Sequence, residues 1–307
     1  MNATAPLPIS EVEATAVAMP HRGTVPLLDA LQQLLAGLQV RMLEGRLLLD
    51  RPLMLDWQAS STLRGLTGHA LTDRYPGVIR SWFKPGQSGH DLPAFLFQAA
   101  HDTGRPIREV AFRLIAWDPE GVLLEFSARA LAGATGRPFG GRGTLVAACR
   151  LGEPERLVFS GAPPLAGPAR LSLVTPVAVK ERKAWLGPRE LLLGHLVRAF
   201  VRRLNRLSAA FGNGGQLDET PWLAECALVQ ETDRQLRWIS AQRRSTTQLG
   251  MLSLAGVAGT IGFAGLPASL FALLQAAEAF HVGFHTVHGC GQLRLEPTAR
   301  PSPPAYG

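Results

Sequence analysis

Apolar residues recur along this chain at two different periods, and the switching between them predicts helices and strands in a repeating order. Pro26 to Leu38 reads as a short amphipathic helix, and Val40 to Leu55 as strand material punctuated by Gly45 and Pro52. Several hydroxyl N-caps precede a helix from Ser60 to Leu71, with apolar positions at Leu63, Leu66, Ala70 and Leu71. A second helix is expected near Pro93 to Thr103, strands at Val110 to Trp117 and Gly121 to Phe126, and a glycine loop leading into a strand from Phe139 to Leu151. The second half repeats the order. Ala169 to Val179 reads as a strand, and Pro188 to Phe211 as the longest helix, stopped by Gly212-Asn-Gly-Gly215. Strands around Cys226 to Ile239 and Leu252 to Phe263, a helix after Pro267 and a last strand with Leu293 and Leu295 on one face complete it.

The second half therefore reads as βαββαβ, and the first fits the same order loosely. Their ends match as well: Gly141-x-Gly143-x-Leu145 and Gly289-x-Gly291-x-Leu293 share one layout, the self-similarity of a duplicated fold. The expected architecture is an α+β protein of two tandem ferredoxin-like, RRM-type domains, at 25–160 and 169–297. Gly161 to Pro168 is the natural linker, and flexible segments are expected at 1–24 and 298–307.

A chain of 307 residues with 46% hydrophobic and 18% charged residues can bury two sizeable cores. Its formal charge of +7 favours a polyanionic partner. Lys84, Lys180 and Lys183 are the only lysines, so the basic character is almost entirely arginine, the better side chain for bidentate phosphate contact. Cys149, Cys226 and Cys290 are widely spaced and form neither a disulfide framework nor a zinc signature, as befits a reducing cytoplasm. The first twenty residues lack a basic n-region and carry Glu11 and Glu13, which argues against a secretory signal. Ser245 to Ala277 holds no charge and is long enough to cross a bilayer, but its glycines and Pro267 favour strand, turn and buried helix, so no membrane is expected.

Two segments carry candidate chemistry. On the longest helix Leu193, Val197, Phe200, Leu204 and Leu207 make the buried stripe. Arg198, Arg202 and Arg206 recur every four residues on another face, with Arg203 beside them, and such like charges call for an anionic neighbour. The other segment is His281 to Leu295, where three of the eight histidines and a Gly-x-Gly pair run into the last strand. Successive backbone N–H groups of such a loop can form an anion-binding concavity. Three histidines at this spacing can also be read as metal ligands, but no acidic residue or cysteine pair joins them, and neither metal nor cofactor is expected.

The loop pattern His-x-Gly-x-x-Thr-x-x-Gly-x-Gly, from His281 to Gly291, resembles the CRISPR-associated RAMP endoribonucleases that cut precursor CRISPR RNA within its repeats. Three further stretches are similar to that family in the same order: Ser61 to Leu71 to its first-domain helix, Pro188 to Gly212 to its second-domain helix, and Arg237 to Ser245 to the basic hairpin strand before Leu254 to Gly262. The resemblance covers about residues 40 to 296. It implies a stem-loop or unstructured repeat RNA as substrate, metal-free cleavage by 2′-hydroxyl attack, and retention with other subunits of a CRISPR effector complex. A non-catalytic RNA-binding subunit of such a complex is the alternative.

The resemblance makes His69 the first catalytic candidate, beside Arg64 and the notches at Gly65 and Gly68; His285 is the next, at a loop position where this chain departs from the family's more often basic or small residue. His281 and His288 are structural or phosphate-contacting, with Gly289 and Gly291 close to the RNA backbone. Arg243 and Arg244, near Trp238, are the main expected RNA contacts, and Arg234 and Arg237 outer ones. The chain departs from the family after the basic hairpin strand, where Ser-Thr-Thr-Gln-Leu-Gly replaces a lysine-rich pattern and leaves arginine to supply charge.

Overall fold

The structure, a computed structural model, describes residues 24–77, 92–100, 104–140, 143–159, 167–245 and 250–298. The segments expected to be flexible, apart from Thr24 and Thr298, all but Gly167 and Pro168 of the Gly161–Pro168 linker, Gly141 and Lys84 lie outside the described residues.

The first half runs α1 (Thr24–Gly37), β1 (Arg41–Leu53), α2 (Ala59–Arg74), β2 (Phe95–Ala99), β3 (Ile107–Ala116), α3 (Val122–Ala132), β4 (Val146–Leu151) and the short β5 (Glu155–Arg156). Along β1, Leu43, Leu47 and Leu49 point inward while Glu44, Arg46 and Leu48 face solvent, so one side of the sheet is covered by α2 and α3. The strands pair in the order β2-β3-β1-β4, all antiparallel. A hairpin strand inserted between the two strands of a crossover unit is the split βαβ arrangement, and two of them interleave here.

The second half repeats it with longer strands. It runs β6 (Gly167–Val177), the hairpin β7 (Lys180–Glu181) and β8 (Ala184–Trp185), α4 (Leu193–Phe211), α5 (Glu219–Cys226), β9 (Glu231–Ser245), β10 (Gly250–Leu266), α6 (Ala268–Phe280) and β11 (Leu293–Pro297). The sheet order is β11-β6-β10-β9, again wholly antiparallel. Both halves are thus ferredoxin-like, as the repeating order of elements predicts.

Three local expectations are corrected. Phe95–Ala99, expected within a helix, is a strand, because all five residues are buried. α2 packs on it, and on the other side the Gln98 amide donates to the carbonyls of Glu278 (2.6 Å) and Ala279 (3.3 Å) at the end of α6. A strand covered on both sides loses the alternation that marks a strand in sequence. Gly121 to Phe126, expected as a strand, opens the helix α3: the Asp118 carboxylate accepts the Leu123 N–H at its start, and Glu125 pairs with Arg129 one turn on. Cys226 ends a helix, α5, capped by Asp218 accepting the Thr220 N–H at 2.9 Å.

The uncharged run expected to be strand, turn and buried helix forms β10 and α6 over its described part, and no described helix is long and apolar enough to cross a membrane.

A shared core fastens the two halves. Leu27, Leu31, Leu34, Leu35 and Leu38 of α1 and its exit, with Leu96, Ile115 and Trp117 of the first half, pack into the same cluster as α4 and α6. Trp117 stacks on Phe280 (5.8 Å) and Phe211 (6.4 Å). Arg203, buried inside this seam, donates from Nε to the Phe280 carbonyl at 2.8 Å and lies 5.8 Å from the Trp117 ring. A buried cation is costly unless hydrogen-bonded, and here it meets a carbonyl at the negative end of α6. Burial and the charge of Arg206 push its pKa down to about 10, which leaves it charged at neutral pH.

Candidate nucleic-acid interface

The glycine-rich loop between α6 and β11 lies against the start of α2, where the two halves meet. Its path includes five residues with positive φ, among them His285 (φ 59°), Gly289 (φ 83°) and Gly291 (φ 81°). A Cβ on Gly289 would sit 2.4 Å from Ser60 Cβ, and one on Gly291 would sit 2.0 Å from the Val282 carbonyl oxygen. These glycines are required by close approach as well as by φ.

Five backbone N–H groups at the end of the loop are spent internally. His288 donates to His285 O (2.9 Å), Gly289 to Thr286 O (2.9 Å), Cys290 to His285 O (3.3 Å), Gly291 to Pro176 O (2.9 Å) and Gln292 to Thr175 Oγ1 (2.9 Å). The Thr175 hydroxyl in turn donates to Gly289 O at 2.8 Å. These bonds leave Gly289 buried against Ser60.

The three loop histidines go to different places. His281 is wholly buried: its Nδ1 lies 3.0 Å from Cys290 O, and burial with the nearby Arg203 charge pushes its pKa down to about 3. Neutral and out of reach, it is structural, which corrects the phosphate contact considered for it. Its backbone, at φ 59° and ψ 161°, occupies a region that glycine normally fills. The His285 and His288 rings remain half-buried at the surface, 6.5 Å apart. Among the described residues no group of three or more His, Cys, Asp or Glu is arranged to hold a metal ion. Cys290 is a protonated thiol, pushed up to about 12 by burial.

Residues from both halves converge on His285 and His288. From the first half, Ser61 at the start of α2 places its hydroxyl 3.4 Å from His288 Nδ1. From the second, the β7–β8 hairpin sets the Trp185 ring 6.4 Å from His285, and the Lys180 ammonium lies 4.1 Å from the centre of that indole. Burial first, and the Lys180 charge second, hold the His285 pKa below its ordinary value, so its imidazole is neutral near pH 7. A neutral imidazole is a proton acceptor, and an ammonium beside it supplies the positive charge that a phosphate requires. Sequence reasoning missed Ser61, Lys180 and Trp185. The available signal was that two of the three lysines fall in one four-residue stretch beside a tryptophan, Lys180-Glu-Arg-Lys183.

His69 stands apart. It is exposed on α2, eight residues past Ser61 and so about 12 Å along the helix axis. It lines a separate groove with Thr62, Gly65, Asp73, Arg137 and Gly140. The structure does not join it to His285. Arg64 lies half-buried on α2, one turn after Ser61.

Of the α4 arginines, Arg202 and Arg206 are exposed and Arg198 is half-buried. Arg202 makes a two-bond pair with Glu219 (2.9 and 3.0 Å), Arg198 lies 3.5 Å from Glu181, and Arg203 is turned into the core. The neighbours that the like charges demanded are carboxylates of the same chain. Arg206 remains exposed. On β9, Arg237 and Trp238 are exposed, whereas Arg234 is held by Glu231 and by the carbonyls of Pro188 (3.1 Å) and Leu191 (2.8 Å). Arg243 and Arg244 pair with Leu252 and Met251 in the β9–β10 ladder, and their side chains lie outside the described residues.

Two antiparallel 4-1-3-2 sheets in one chain are the fold that comparison with known proteins recovers. Residues 171–293 match the family described as CRISPR-associated endoribonuclease Cas6. A search of curated proteins finds no match. Among solved structures, a Cas6 product complex aligns over 83% of this chain and 99% of its own length at 19% identity, with a TM-score of 0.51. Thermus thermophilus Cas6 aligns over 84% and 98% at 15% identity, with a TM-score of 0.52. A chain of a partial Cas6-RT-Cas1–Cas2 complex gives 0.56 over 85% of this chain and 46% of its own, at 13% identity. At these identities the likeness is one of fold. The family match covers β6 without its first four residues through the first residue of β11, and so contains the glycine loop and the β7–β8 hairpin.

Proposed function

We propose that this protein is an endoribonuclease that cuts CRISPR repeat RNA into guide-length pieces. A ribose 2′-hydroxyl attacks the adjacent phosphate, leaving a cyclic phosphate and a free 5′-hydroxyl, and no metal ion is required. The observation that carries this reading is the seam: His285, Lys180 and the Ser61–His288 pair, drawn from both ferredoxin-like halves, gather on the loop that falls within the Cas6 family match.

His285, neutral at pH 7, takes the 2′-hydroxyl proton. His288, oriented by the Ser61 hydroxyl, gives a proton to the departing 5′-oxygen. Lys180 stabilises the charge that builds on the phosphate oxygens. Arg237, Arg243 and Arg244 on β9 extend the RNA track. That solved proteins of this fold include product complexes supports a product that stays bound, available to other subunits of a guide-RNA complex.

The test incubates the protein with labelled repeat RNA from its own locus in EDTA. A single cut leaving a cyclic phosphate is expected, slowed roughly 10²- to 10⁴-fold in His285→Ala with RNA binding retained. Cleavage falls as acid protonates His285, and Lys180→Ala shifts that acid limb to higher pH by removing the nearby charge. Loss of cutting in His69→Ala but not in His285→Ala would move the centre to the α2 groove. Tight binding without a cut in any buffer, divalent metal included, would make this an RNA-binding subunit.

A further inference from the structure

The seam carries a feature that proton transfer does not use. Every residue of the β7–β8 hairpin from Lys180 to Trp185 is exposed. Its two-residue turn is Arg182-Lys183, with φ of 47° and 74°. Such turns take Asn-Gly at little cost, whereas two long basic side chains sit there only with strain. Glu181 is turned back toward α4, 3.4 Å from His195 Nε2 and 3.5 Å from Arg198. The outward face of the hairpin is thus three cations and an indole.

Trp185 does not stand alone. Phe284 of the glycine loop meets it edge to face, ring centres 5.3 Å apart, and the two rings are 44% and 48% exposed. Lys180 covers part of both, at 4.1 and 5.5 Å. Large apolar rings held in water beside fixed cations match what a nucleobase and its phosphate present. Phe284 directly precedes His285, so whatever lies on the rings adjoins the reacting phosphate.

We propose that Trp185 and Phe284 form the stacking site for one unpaired base of the RNA, the nucleotide next to the phosphate presented to His285, with Arg182 and Lys183 on the phosphates beyond it. This rests on the reading of the seam as an RNA-cleaving site. Only a base free of a helical stack can offer its face to the rings, so the site selects single-stranded RNA at the cut.

The test measures binding of the full chain to repeat RNA that carries a 2′-deoxy nucleotide at the cut and is therefore not cleaved. Comparison RNAs carry an abasic nucleotide, stepped through the positions flanking the cut. Trp185→Ala is expected to weaken binding of the intact RNA roughly tenfold. At one abasic position that loss disappears, and Trp185→Phe restores most of the affinity. Unchanged binding in Trp185→Ala, or an equal loss on every abasic RNA, overturns the stacking site. Cleavage of unmodified RNA is followed in parallel. Coupling without cutting overturns the nuclease reading and leaves the stacking site standing, whereas cutting without coupling overturns the stacking site alone.

Discussion

The two glycine loops of this protein have the same layout and opposite surroundings. The loop of the first half, around Gly140 and Gly143, borders the His69 groove, and a Cβ on Gly143 would meet nothing within 4 Å. The loop of the second half carries His285 and is wedged between Ser60, Val282 and Pro176. Both use positive φ, but Gly143 needs it only to turn the chain, whereas Gly289 and Gly291 need it so that two backbones and a helix can touch. One consequence concerns chemistry. A histidine beside an open loop is bathed in water, while a histidine on a packed loop is held in place, partly desolvated and set beside a fixed charge. That difference makes His285 the better-placed base of the two candidates.

Substitution separates the loops most sharply. Gly291→Ala puts a methyl 2.0 Å from the Val282 carbonyl at φ 81°, and is expected to cost on the order of 4 kcal/mol or to prevent folding. Chemical denaturation, or soluble yield where no folded protein is recovered, reads this directly; a variant as stable as the parent would mean that the second loop is as open as the first.

Acid provides the next contrast, because only the second loop encloses a titrating ring. The His281 pKa falls from 6.5 to about 3 on folding, so its contribution is fully present above pH 6.5 and is lost as pH falls toward 3. His285, also lowered, acts in the same sense. The loss from His281 alone is about 2 kcal/mol by pH 5. Thermal unfolding between pH 7.5 and 5 should show it, with a flatter profile in His281→Asn; an equally steep profile in that variant would place the acid sensitivity elsewhere.

The smallest effect is expected at the open loop. Gly143→Ala keeps its space and loses only conformational ease, about 1–2 kcal/mol. A loss as large as that of Gly291→Ala would show that the first loop has a partner of its own.

Much of the fold was legible because ferredoxin-like halves announce themselves through order. The α4 stripe, the helix after Pro267 and the alternation of β1 are local patterns, and local patterns report which face is covered. They failed where cover comes from two directions. Phe95–Ala99 reads as featureless apolar sequence because α2 closes one side and the end of α6 the other, and β3 with Trp117 holds the seam between them. On α4 the limit is related: spacing showed four cations near one another but could not show Glu181 and Glu219, 17 residues away from Arg198 and Arg202, coming back to meet those two.

By itself the sequence determined the βαββαβ layout of the second half in outline, the buried stripes and the glycine loop with its histidines, since each depends on residues close together in the chain. Only the tertiary structure decided which histidine is buried, which faces the seam and which stands apart, and only it brought Ser61, Lys180 and Trp185 to His285 and His288. Those choices rest on contacts between residues as many as 227 positions apart, and no periodicity encodes them.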